Sequence, residues 1–103
     1  MAYDAQCKTN HDLAQAYRHV TSQVYRAADC VRGARKRAEI IEHLEFDIPK
    51  YYTTQGTVRN LTIRGIGPET LRVLDDILER GEEATIAAEV NRLARQDIEN
   101  RIS

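Results

Sequence analysis

Apolar residues recur at steps of three or four along most of this chain. Leu13, Tyr17, Val20, Val24, Ala28 and Val31 form one such stripe, which predicts a helix with one buried face. Asn10 or Thr9 can cap its start, and Asp12 suits a first turn, where negative charge is favoured. Gly33 predicts a stop or a kink. A second helix is expected from Ala34 to Leu44 with Ala38, Ile41 and Leu44 inward, although the near-continuous phase across Gly33 also allows one long kinked helix. The stretch "FDIPKYYTTQG" interrupts the pattern and reads as a loop, because Pro49 disfavours helix at Ile48. A short helix fits "TVRNL", with Val58 and Leu61 inward. Pro68 then opens a helix whose buried face is Leu71, Leu74, Ile77 and Leu78, and Gly81 closes it. The last segment is amphipathic through Ile86, Val90 and Leu93, with Ile98 and Ile102 continuing the stripe, and Glu82 and Glu83 stand at its start. No segment alternates with a period of two, so strands are not expected. The predicted fold is all-α, a compact bundle of about five helices: residues 1–9 as an N-terminal tail, and 10–103 as one helical domain.

Length and charge narrow the classes. A chain of 103 residues is one domain and can bury a modest core without metal or disulfides. Charged residues make up 30% and nearly balance, with a formal net charge of -1, so the chain lacks the overall basicity usual in nucleic-acid binders. A local basic patch can still act alone. Cys7 and Cys30 form no CxxC, and His11, His19 and His43 are dispersed, so neither a metal site nor a catalytic constellation is visible. The N-terminus lacks a signal-like apolar run, which makes a reduced, cytoplasmic setting the expectation.

Two of only five glycines flank one isoleucine in "NLTIRGIGPETLRVL". The bland reading is a tight turn between helices. The sharper one is a turn shaped for a phosphate: glycines let another backbone come close, and a helix starting at Pro68 leaves free amides at its positive end. This arrangement resembles the helix-hairpin-helix motif, here over about 57–81. The order of helices around it, with the "ILERG" ending, is similar to the N-terminal lyase domain of family X DNA polymerases. The resemblance implies sequence-independent binding to the DNA backbone, with gapped or branched DNA as the ligand class and DNA repair as the setting. It implies phosphate contacts by the amides of Gly65, Gly67 and Glu69, with Ile63, Arg64 and Ile66 completing the hairpin. It also implies a monovalent cation held by the backbone carbonyls of Leu61, Ile63 and Ile66. The nucleophilic lysine of those lyases matches Val73 here, so a non-enzymatic role is expected.

Other candidates have plain alternatives. Arg32, Arg35, Lys36 and Arg37, with Arg26, form either a phosphate-tracking stripe beside the hairpin or a solvated face paired with Glu39 and Glu42. Tyr51 and Tyr52 either stack on a base or pack locally. Asp75, Asp76 and Glu79 read as a solvated acidic face. A second function class stays open: a protein-interaction module in which the hairpin is only a joint, acting through a protein partner or self-association.

Overall fold

The computed structural model describes residues 2–102. The chain is an all-α bundle: α1 (Asn10–Val24), α2 (Ala28–His43), α3 (Ile48–Gln55), α4 (Pro68–Arg80) and α5 (Glu82–Ile102), with no strand among the described residues. Among the described residues no helix is long and apolar enough to cross a membrane.

Thr9 caps α1, its hydroxyl accepting the Asp12 amide at 3.0 Å. Asn10, the other candidate, has a different task. Its Nδ2 donates to the carbonyls of Leu44 (3.2 Å) and Phe46 (2.7 Å), and its Oδ1 accepts the Ile48 amide at 2.9 Å, so one side chain ties the start of α1 to the connection between α2 and α3.

The chain reverses at Tyr25–Ala27, not at Gly33. No glycine or proline marks this turn. It is set by tertiary packing: Leu13, Tyr17, Val20 and Val24 of α1 are buried, as are Ala34, Ala38 and Ile41 of α2, and a three-residue connection makes the two helices an antiparallel pair. Ala28 is consequently exposed and Val31 only half-buried. Gly33 lies inside α2, where its missing side chain admits Arg37: a Cβ there would sit 3.1 Å from the Arg37 Nη1, and the same guanidinium donates from Nε to the Tyr17 hydroxyl at 2.9 Å.

The stretch expected as a loop forms α3. Asp47 is its N-cap, accepting the Lys50 amide at 3.0 Å, and Pro49 falls in the first turn, where its missing N–H costs nothing. Gly56, at φ 77°, ends it in the left-handed conformation. The helix expected at "TVRNL" is instead a single turn, closed by the Leu61 amide on the Val58 carbonyl at 3.1 Å; Val58 is fully buried beneath it.

α4 buries Leu71, Leu74, Ile77 and Leu78 as the pattern requires, and Val73 with them. Each such residue contributes roughly 1.5–3 kcal/mol over its exposed state. α5 departs from its expected phase. Thr85 and Glu89 take the buried positions, Ile86 and Leu93 are half-buried, and Val90 and Ile98 are 46% and 56% exposed. The side chain of Ile102 lies outside the described residues. The segment before α1, expected as a tail, has no regular structure but docks on the bundle: Ala5 and Cys7 are buried, and the amides of Tyr3 and Gln6 donate to the carbonyls of Thr53 and Leu78.

Candidate nucleic-acid interface

The hairpin is a closed turn. The Ile66 amide donates to the Ile63 carbonyl at 3.0 Å, and the two residues form an isolated antiparallel bridge. Gly65 occupies the third position at φ 87°, where a type II turn requires glycine. Ile66 is buried and anchors the loop, while Arg64, Gly65 and Gly67 are exposed.

The two glycines do different things. A Cβ at Gly65 would lie 2.7 Å from the Ile40 Cδ1, so this glycine lets the hairpin pack on α2. Gly67 has an ordinary φ of -87°, and a Cβ there would meet nothing within 4 Å. Packing does not require glycine at that position. It leaves the mouth of the hairpin bare.

That mouth is lined with donors. Gly67 is the N-cap of α4 and supplies no side-chain cap; Pro68 has no N–H. The amides of Gly65, Gly67 and Glu69 donate to no acceptor among the described residues. The α4 dipole adds the equivalent of roughly half a positive charge there. Arg64 is exposed beside these amides and makes no ion pair among the described residues. The Glu69 carboxylate is drawn aside by Arg72, at 3.0 Å, with the Arg92 guanidinium 3.9 Å away. Of the three carbonyls implied for a monovalent cation, that of Ile63 already accepts the Ile66 amide, and that of Ile66 faces Ile63 across the same bridge. Neutral carbonyl oxygens suit a hard cation. No group of three or more His, Cys, Asp or Glu among the described residues could hold a metal ion.

The basic cluster on α2 does not act as one stripe. Ile40 faces the hairpin, so Lys36, one turn back and exposed, stands about 6 Å from it along the helix axis. Arg32 is ion-paired with Asp29. Arg37 is bonded to Tyr17. Arg35, about 140° round the helix from Ile40, lines a groove between α1 and α2 with Gln15, Arg18 and Glu39. Lys36 and Arg64 are therefore the members best placed beside the hairpin.

Tyr52 is buried, with its ring edge-on to Tyr3 at 6.4 Å. Tyr51 is half-buried against Phe46, and its hydroxyl donates to Asn60 Oδ1 at 3.1 Å. The Tyr52 ring is therefore closed to a base, whereas the half-buried Tyr51 ring borders a surface groove with Phe46 and Lys50.

Two acidic residues missed by pattern reading hold the surroundings together. Asp75, expected on a solvated face, is buried; it accepts the Val58 amide at 2.8 Å and pairs with Arg59 at 3.3 Å, fixing the turn before the hairpin to α4. Glu89 is 2% exposed and accepts from Arg72 at 2.6 and 3.2 Å and from Arg92 at 3.0 and 3.3 Å. Burial pushes its carboxyl upward, but the hydrogen bonds from Arg72 and then Arg92 outweigh this and hold it below the usual carboxylate range. Val73, at the position matching the lyase lysine, is a core residue.

Comparisons with protein-family models, curated proteins and solved structures found no match.

Proposed function

We propose that this protein binds DNA non-enzymatically and without sequence preference, through backbone phosphates at the hairpin Ile63–Gly67. The observation that carries the reading is the bare position at Gly67. It stands among three undonated amides at a helix N-terminus, with Arg64 alongside. A phosphate oxygen needs convergent donors and room for its own backbone, and the hairpin offers both. Lys36 extends the contact onto α2. Gapped or branched DNA is the ligand class, and a monovalent cation at the hairpin carbonyls and a cytoplasmic repair setting belong to the same reading. One hairpin grips weakly, so a partner or a second copy accompanies it.

The test is fluorescence anisotropy on labelled single-stranded, duplex and gapped DNA across a salt titration. Binding that weakens with salt, and is lost in a Gly67→Val variant with native circular dichroism, supports the cradle. A wild-type chain that binds none of the three at low salt overturns it.

A second reading, a protein-interaction module, is favoured by one feature. Val90, Ala94 and Ile98 form an exposed apolar line on α5. Sedimentation of the wild type and of Ile98→Glu tests it, self-association lost in the variant being the supporting result.

A further inference from the structure

α4 and α5 run antiparallel from the turn at Gly81, and their ion pairs define a register. Arg72 meets Glu89, and one step of three back along α4, Glu69 meets Arg92, three forward along α5. The next equal step brings Arg95 level with Ile66 in the hairpin. Helical rise agrees: counted from Gly81, Pro68 is about 20 Å away along α4 and Arg95 about 21 Å along α5. α5 thus continues past the level of Pro68, the start of α4, as a wall formed by α5 alone. On this wall Asn91, Arg92, Arg95 and Gln96 line a groove of about 390 Å³, with Glu99 its single carboxylate. Arg95 is exposed and makes no ion pair among the described residues, unlike Arg92, which Glu89 holds.

We infer that Arg95, flanked by the amide side chains of Asn91 and Gln96, contacts a second phosphate of the strand whose first phosphate sits on the hairpin amides. This rests on the DNA-binding reading above. The groove has a free cation and two amide side chains able to donate, which is the chemistry a phosphodiester backbone requires. Round α5, Arg95 stands about 140° from Val90 but only about 60° from Ile98, and Asn91 shares the face of Ile98. Glu99 opposes the contact and limits affinity.

The experiment is a salt titration of anisotropy on a fluorescein-labelled gapped duplex with the full chain. It compares wild type, Arg95→Ala, Glu99→Gln, Gly67→Val and Lys8→Ala. Lys8 is the control, since Gln6 and Cys7 place its segment beside Leu78 and Glu82, at the far end of α4. Arg95→Ala is expected to lower the slope of log affinity against log salt by about 1, the loss of one phosphate contact, while Lys8→Ala leaves it unchanged. Glu99→Gln is expected to tighten binding several-fold. Equal slopes for Arg95→Ala and Lys8→Ala, with binding still dependent on Gly67, overturn this inference and leave the hairpin reading standing. No binding by the wild type overturns both.

Discussion

The two ends of α4 are built on opposite terms. At its C-terminus two of the last carbonyls are used, the Gly81 amide donating to Ile77 and the Gln6 amide to Leu78, and the Thr85 amide and hydroxyl both reach the Gly81 carbonyl of the turn that follows. Gly81, at φ 89°, serves only the turn. At the N-terminus, Gly67 gives no side-chain cap, Glu69 turns its carboxylate toward Arg72, and the donors are left facing outward. Both ends carry a glycine, yet only the C-terminal end is met by another segment, through the Gln6 amide. Conformational need explains Gly81 and Gly65, but not Gly67. Among the described residues no buried side-chain nitrogen or oxygen lacks a partner. The start of α2, where Ala27 is the N-cap, also lacks a side-chain cap, so what sets the α4 end apart is the bare Gly67 beside its free amides.

The strongest way to break this comparison is to attack the closed network that separates the two ends. Glu89→Gln removes the charge that holds Arg72 and Arg92 and leaves a partly buried guanidinium short of an acceptor. The expected loss is about 3 kcal/mol, read as a lower urea midpoint at unchanged denaturant slope. The pH dependence has a definite sign. The native carboxyl is depressed below its ordinary 4.5, so its contribution is present above that pH and fades as pH falls through the lower native value. Stability curves from pH 7 to pH 3 should converge for wild type and Glu89→Gln. Parallel curves would show that Glu89 contributes nothing through ionisation.

Asp75→Ala is expected to cost about 2 kcal/mol, because the buried Val58 amide loses its acceptor. It should also raise hydrogen exchange at Leu61 and Ile66, whose amides close the turns on either side of the hairpin approach. Unchanged exchange there would mean that the hairpin is held by Ile66 and Ile40 packing alone.

How far the sequence announces all this differs by element. The α1 and α4 stripes are legible because every third or fourth residue is apolar and buried. α3 is misread by taking Pro49 as a breaker, although Asp47 followed by a proline is itself a start signal. The turn at Tyr25–Ala27 carries no breaker; it is fixed by where two apolar faces meet, and that is a tertiary fact. α5 is shifted in phase because Glu89 is buried by its partners on α4 and α5, which no periodicity reveals. At the candidate site, the glycine pair and Pro68 mark the hairpin directly. The split of the α2 cluster is not marked, since Arg37 is taken by a tyrosine 20 positions away. The α5 wall needs the α4–α5 register to be found at all.

A pair of glycine variants sharpens the contrast between packing and opening. Gly65→Ala meets both a left-handed backbone and the Ile40 side chain, and should cost about 2 kcal/mol in thermal or urea melts. Gly67→Ala meets neither and should cost under about 1 kcal/mol, the difference between glycine and alanine at an N-cap. Equal costs would mean that Gly67 is also structural, and the bare mouth would lose its significance.

The smallest expected effect tests the closed end. Burial, with lesser help from Glu82 and Asp12, pushes the Cys7 thiol up to about 11 from 9.0. Cys30 is exposed. At pH 8 iodoacetamide should therefore label Cys30 well before Cys7, because only the thiolate reacts. The raised native value also means that this thiol's share of stability is complete below pH 9 and is lost as pH climbs toward 11, where the unfolded chain ionises first. Peptide mapping after brief labelling reads the order directly. Equal labelling of both cysteines at pH 8 in the folded chain would show that the segment before α1 opens readily, and the end of α4 that it covers would then be no more closed than the hairpin end.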